Sequence, residues 1–249
     1  MKNVLYIVAF VLGFSVLAQN QALFNHANTL YNEGKYAEAI DKYEAILATK
    51  QQSAELFFNL ANANYKLNNI ASSIYYYEKA LLLNPNDNDI KNNLSFAQNM
   101  TVDVIDTVPE GAFAKLFDNI THSMSFDEWA KTAVVLVFVT VLLFMFYYFA
   151  FSTVKKRLAF VGSLTALGLM LLCLTLAFHS YNLNKKNRPA IVFAQESKVN
   201  DEPNLRSQEV FRLHEGTKVQ ILDTVSNWKK IRLSDGKTGW ISSKDIKAL

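Results

Sequence analysis

Residues 59–85 read NLANANYKLNNIASSIYYYEKALLLNP, and at a backward shift of 34 positions the matches fall in a looser copy over 23–47. Ala27 then meets Ala61, Tyr31 meets Tyr65, Ile40 meets Ile74, Tyr43 meets Tyr77 and Glu44 meets Glu78; Ala39 meets Ser73, small in both copies. Self-similarity at a fixed period of this size marks a stacked architecture, in which each unit buries its apolar face only against its neighbours. Each copy reads as two antiparallel helices joined by a tight turn, near Gly34-Lys35 in the first and Asn68-Asn69 in the second. Small residues at 27, 39, 61 and 73 let the paired helices approach, and Tyr43 and Tyr77 fill the gap to the next pair. Asn84-Pro85 ends the second copy, because proline lacks the N–H that a continuing helix needs. A further helix over 87–100, with Leu94 and Ala97 turned inward, closes the stack.

The matched positions resemble the tetratricopeptide repeat, with Asn68 where that family favours glycine and Ser73 where it favours alanine. The resemblance implies that the first helix of each pair lines a concave groove. Asn25, Asn28, Asn59, Asn62 and Asn93 fall on those helices, together with Tyr31, Tyr65 and Lys66. Asparagine donates and accepts at once, so such a ladder can hold an extended peptide by its backbone, or can instead bond neighbouring helices to each other.

Outward from the repeats, the N-terminal 1–18 reads as a cleavable signal: Lys2, an apolar run over 4–17 too short for a comfortable span, then Val16-Leu17-Ala18 before the cleavage point. Residues 101–131 are a polar linker, with Asp103, Asp106 and Pro109, followed by an amphipathic helix over 112–127. In that helix Phe113, Leu116, Phe117, Ile120 and Met124 recur at spacings of three and four. It either lies on a membrane surface or packs beneath the repeats. Ser125 with Glu128 three residues on is a helix start. Residues 132–151 and 158–178 are free of charge and long enough to cross about 30 Å of hydrocarbon. Trp129, Tyr147 and Tyr148 suit the interfaces, and Lys155-Lys156-Arg157 forms the turn between the two runs. A cleaved signal and a basic turn held inside put the segments before and after this hairpin on the outer side, although Lys185, Lys186 and Arg188 follow the second run there. Cys173, the one cysteine, lies in the second run as a small apolar residue.

From 189 the period changes to that of strands. Runs at 191–193, 210–213, 218–225, 228–233 and 239–241 are separated by turns at Glu215-Gly216 and Ser234-Asp235-Gly236, and predict a small five-stranded barrel closed by Asp245-Ile246. The stretch over 214–249 resembles the bacterial SH3-like domain, with Gly216, Trp228, Gly236, Gly239, Trp240 and Ile241 at that family's positions. Trp228 and Trp240 read as core residues first and as ligand contacts second. Members of that family usually bind cell-wall or protein ligands.

The excluded classes follow from composition. A formal net charge of +3, from 25 basic and 22 acidic residues spread along the chain, offers no nucleic-acid surface. His26, His122, His179 and His214 lie in four separate segments, and no nucleophile–base set, metal spacing or phosphate loop accompanies them, so neither an enzyme nor a cofactor is expected. The fold class is therefore a multidomain membrane protein: an α-helical tetratricopeptide-like solenoid over 19–100, a two-helix transmembrane hairpin, and a small all-β SH3-like barrel over 189–249. The order of modules resembles the repeat-plus-SH3 proteins of Bat aerotolerance operons (BatE-like). That resemblance implies an adaptor in the bacterial inner membrane, with both soluble domains periplasmic. It implies partners among von Willebrand factor A-domain membrane proteins and a MoxR-type ATPase, and a role in aerotolerance or envelope stress. A peptidoglycan-binding anchor that recruits a cell-wall enzyme through its repeats is the alternative.

Overall fold

The computed structural model describes residues 19–105 and 111–249; the signal expected over 1–18 and the linker residues Asp106 and Pro109 lie outside them. The described residues divide into two compact units, one formed by 19–105 together with 189–249 and the other by 111–188.

In the first unit, α1 (19–32) and α2 (Tyr36–Ala48) form one helix pair, and α3 (Ala54–Lys66) and α4 (Ile70–Leu83) form the next, with α5 (Asn88–Gln98) as a lone final helix. Side-chain caps start two of them: Ser53 Oγ accepts from the Leu56 N–H, and the Asp87 carboxylate accepts from the N–H groups of Asp89 and Ile90. The turns within the two pairs share one backbone requirement. Gly34 has φ +78° and Asn68, at the matching position of the second copy, has φ +60°. Asparagine is the residue that best tolerates the left-handed region after glycine, which accounts for its substitution there. Ala27, Ala39, Ala61, Ser73, Tyr43 and Tyr77 are all buried, as the period requires.

Residues 189–249 form a seven-stranded antiparallel sheet in the order β3-β2-β6-β5-β4-β1-β7, with β1 Pro189–Val192, β2 Glu196–Asn200, β3 Glu209–His214, β4 Lys218–Val225, β5 Trp228–Arg232, β6 Thr238–Ser242 and β7 Ile246–Ala248. The five-strand expectation misses β2, whose sequence ESKVN is mostly polar although Ser197, Val199 and Asn200 are buried. The core is aliphatic: Ala190, Val192, Val199, Leu213, Val219, Ile221, Ile231, Leu233, Ile241 and Ile246. The core reading of the two tryptophans is corrected. Along β6, Gly239 and Ile241 are buried, so the two-residue strand period turns Trp240 to the other face. Trp228 pairs with Ser242 on that same outer face, and both tryptophans are only half-buried.

The repeats and the sheet are one body. Along β1, Ala190 and Val192 enter the sheet's own core, whereas Ile191 packs with Phe57, Ile74, Tyr75 and Tyr77 of the repeats. Strand β1 is thus covered on both faces, which is why Ile191-Val192-Phe193 is a continuous apolar run and not an alternating one.

In the second unit, α6 (Ala112–His122) is followed by α7 (Phe126–Phe149) and α8 (Thr153–Lys186). The amphipathic helix expected over 112–127 stops at His122. Ser125 then opens α7 with a reciprocal capping box, its Oγ accepting from the Glu128 N–H while the Glu128 carboxylate accepts from the Ser125 N–H. The Lys155–Arg157 triplet is not the turn: it lies within the first turns of α8, and Ala150–Ser152 makes the reversal. Ring contacts Tyr147–Phe160 and Phe126–Tyr181 at the two ends make α7 and α8 an antiparallel hairpin. Its packing is inverted relative to a soluble bundle. The buried seam of α8 is built mainly from small residues, Ala159, Ser163, Ala166, Cys173, Ala177 and Ser180, while Leu, Val and Phe side chains along both helices face outward. Gly162 extends the close approach, since a Cβ there would lie 3.3 Å from Leu143 Cδ1. Both helices are long and apolar enough to cross a membrane.

Candidate functional site

Two hydrogen-bonded triplets repeat along the inner helices at the same 34-residue spacing. Tyr43 Oη donates to Asn28 Oδ1 at 2.6 Å, and Asn59 Nδ2 donates to that same oxygen at 3.1 Å. One repeat on, Tyr77 Oη donates to Asn62 Oδ1 at 2.5 Å and Asn93 Nδ2 donates to it at 3.2 Å. A buried tyrosine hydroxyl requires a partner. Burial foremost, with nearby Tyr31, pushes the Tyr43 hydroxyl up to about 12 and raises that of Tyr77 as well, so both remain donors at any ordinary pH. Asn28 and Asn62 thus spend both lone pairs of their carbonyls inside the protein. The ladder expected to offer peptide-facing acceptors is, at these two oxygens, the bond between successive repeats. What Asn28 and Asn62 retain toward the groove is donor capacity.

The structure gathers Tyr31, Asn62, Tyr65, Lys66 and Asn93 around one hollow of about 210 Å³, which also includes Tyr77 and Phe96. Asn25 and Asn28 line a second, larger hollow of about 710 Å³ beside Phe24, with Gln52 and Glu55 opposite. Asn25 Oδ1 accepts there from Gln21 Nε2 at 3.1 Å, and Asn59 bonds to Asn28. Phe96 is absent from the sequence-based set. It occupies the position that Asn28 and Asn62 hold in the two preceding copies, and it is 60% exposed on a helix whose outer face should be polar. The same 34-residue shift would have singled it out. The smaller hollow thus combines four aromatic rings, two amides and one lysine, with no acidic side chain in its wall. That mixture suits a short apolar segment held by amide donors.

On the sheet, a hollow of about 980 Å³ is lined by Lys198, Asn200, Leu205, Asn227, Trp228 and Ser242 among others. Lys230 Nζ lies 5.9 Å from the Trp240 ring centre, on the outer face the two tryptophans share. Gly239 and Gly236 do not contribute contacts: a Cβ on Gly239 would meet Val199 Cγ1 at 2.5 Å, and Gly236 supplies the φ of +90° in an exposed turn.

A third constellation joins the two modules and was not legible in advance. Asp103, placed by the sequence in a linker, accepts from Thr217 Oγ1 at 2.5 Å and the His214 N–H at 2.7 Å through one oxygen, and meets His214 Nδ1 at 2.7 Å through the other. Burial opposes its charge most strongly, but these bonds together outweigh it and hold the carboxyl below its ordinary range. Ile105 packs against the core of the sheet. Nearby, Lys218 Nζ meets Glu78 Oε1 at 2.7 Å, and Lys247 Nζ stands 4.4 Å from the Tyr75 ring centre with Phe193 alongside. The Asp103–His214–Thr217 trio is no nucleophile–base set, because the threonine hydroxyl points to the carboxylate and not to the imidazole. Among the described residues, no three His, Cys, Asp or Glu side chains gather as metal ligands would.

Residues 54–87 match the family model of the tetratricopeptide repeat, and residues 201–247 match that of the bacterial SH3 domain. The region 54–87 spans α3 and α4, and 201–247 covers the sheet from β3 to β7. No curated protein matches the chain. Among solved structures, YrrB, described as a TPR protein with an unusual peptide-binding site, shares 18% identity over 66% of this chain and 75% of its own, with a TM-score of 0.31. At that score neither its repeat arrangement nor its site is carried over to this chain.

Proposed function

We propose that this chain is a non-catalytic, membrane-anchored adaptor in which a two-crossing hairpin tethers one fused repeat–sheet body that captures partner proteins. The observation that carries the reading is the seam between modules. The repeats precede the hairpin and the sheet follows it, yet Asp103, Glu78 and Tyr75 hold His214, Lys218 and Lys247 directly. Two parts of the chain that touch must lie on the same side of a membrane, which requires an even number of crossings between them. The inverted packing of α7 and α8 supports lipid as their surroundings, since helices in a bilayer associate through small residues and leave large apolar ones outside. The capture site in this reading is the hollow of Tyr31, Tyr65, Lys66 and Phe96. The module order further supports the Bat-type assignment: the inner membrane, a periplasmic body, partners of the von Willebrand factor A-domain and MoxR-ATPase type, and a role in aerotolerance or envelope stress.

Topology tests the reading. With Cys173→Ser as background, Ala45→Cys in the repeats and Lys237→Cys in the sheet occupy exposed positions. Both are expected to react with an impermeant thiol reagent added outside intact spheroplasts. Reaction at only one of them contradicts the two-crossing hairpin. A second reading, attachment to peptidoglycan, is favoured by the roomy hollow beside Trp228, where Lys198, Asn200, Asn227 and Ser242 set polar groups around an apolar floor. Sedimentation with purified peptidoglycan, abolished by Trp228→Ala, would select it over protein capture.

A further inference from the structure

Helix α6 is held at one defined level of the hairpin. Trp129 Nε1 donates to the Thr121 carbonyl at 3.3 Å, Thr121 is fully buried, and the Phe117 ring meets the His179 ring edge-on at 5.3 Å. Those partners lie just beyond the charge-free runs: Trp129 shortly before Thr132 on α7, His179 directly after Phe178 on α8. Side-chain contacts from two different helices therefore fix α6 at the depth where both runs end. Its surface is divided. At 100° per residue, Leu116, Ile120 and Phe117 share an arc of about 100°, and Lys115, Asp118 and Asn119 take the opposite side. The three apolar side chains are 58%, 44% and 44% exposed although the helix is anchored beside them. The arc is exposed at the level where the outward apolar surfaces of α7 and α8 end. An aqueous face would leave it wet, and a membrane face at this depth would cover it without any further partner.

We infer that α6 is an interfacial helix that lies in the plane of the bilayer, with Leu116, Phe117 and Ile120 in the boundary between headgroups and acyl chains. The inference rests on the hairpin crossing that bilayer. Such helices bury their apolar face about 5–10 Å below the headgroup level. The device gives the adaptor a fixed foot on the membrane where the hairpin emerges.

The test uses the full chain with Cys173→Ser, reconstituted in vesicles of phosphatidylethanolamine and phosphatidylglycerol and spin-labelled at single cysteines. Labels at positions 116 and 120 are expected to relax with oxygen, which partitions into lipid, more than with an aqueous nickel chelate. Labels at 115 and 119 should show the reverse. The depth at 116 and 120 should be shallower than at the exposed hairpin positions 142 and 171. Nickel-dominated relaxation at 116 and 120, with 142 and 171 still in lipid, overturns the inference and leaves the hairpin reading intact. Exclusion of both relaxants at 116 and 120 also overturns it, because the arc is then covered by protein. Nickel access at 142 and 171 removes the hairpin reading and this inference together.

Discussion

Replacing Asp103 by alanine should loosen the seam between repeats and sheet while leaving each module folded. The carboxylate is 14% exposed and accepts three contacts, two from the backbone and ring of His214 and one from Thr217. A hydrogen bond to a charged group contributes about 1.5–3 kcal/mol, and three bonds to one carboxylate are not additive. The partial solvent access and the contacts that remain at Lys218–Glu78 and Ile191 argue for a loss near one such bond, about 2–3 kcal/mol. At 1.4 kcal/mol per tenfold, the closing equilibrium weakens roughly 30- to 140-fold. Hydrogen exchange on the full-length protein reads this directly, because the His214 N–H donates to Asp103. Protection across 211–218 should fall by that factor while protection in α3 and β5 is retained. Unchanged exchange at 211–218 would refute the role given to Asp103. The pH dependence has a definite sign. A carboxyl held below its ordinary range stabilises the closed seam fully above about pH 3.9 and loses that contribution as the pH falls through the folded value. Acidification below about pH 4 should therefore open the seam. Asp103→Asn can keep the bonds through the other His214 tautomer but carries no charge, so its seam should lose that acid step.

Two further outcomes follow from the geometry. Asn62→Ala strips the acceptor from the buried Tyr77 hydroxyl and should cost about 1–3 kcal/mol of repeat stability, visible as a lower helical melting temperature; Tyr77→Phe in the same background should recover part of it. Trp240→Ala removes a half-buried outer-face ring and not a core one, so its cost should fall below the roughly 3–5 kcal/mol of a truncated core aromatic; a melt of the full chain showing loss of the sheet would refute the outward placement.

The helical period and the strand period carried most of the architecture, and the failures have separate physical causes. The positions of α1 to α4 were legible because a 34-residue repeat imposes burial on Ala27, Tyr43, Ala61 and Tyr77 alike. Asp103 was not legible, because its partner lies 111 residues away and nothing local distinguishes a buried carboxylate from a solvated one. The tryptophans were misread because residue type does not choose a face. Register does, and the space Val199 leaves only for Gly239 shows which face is inside. Strand β2 escaped because its buried Ser197 is satisfied by Asp245 across the sheet, a bond that sequence alternation cannot reveal. Of the residues that line the smaller hollow, Tyr31, Asn62, Tyr65, Lys66 and Asn93 were singled out by the repeat, whereas Phe96 departs from the repeat and so was passed over. The dual use of asparagine could not be resolved beforehand, since an amide that bonds its neighbour and one that bonds a ligand look the same in sequence.

Affinity capture from solubilised membranes, with quantitative mass spectrometry of what is retained, reads partner capture by the repeat groove. The comparison is between the native chain and Tyr65→Ala, Lys66→Ala, Phe96→Ala together, three half-exposed or exposed side chains whose loss spares the Asn–Tyr triplets. One or more membrane or envelope proteins held by the native chain are expected to fall at least about tenfold, the equivalent of about 1.4 kcal/mol, while helical signal and membrane fractionation stay unchanged. Full retention of every partner by the triple variant, with both controls met, would contradict capture by the repeat groove.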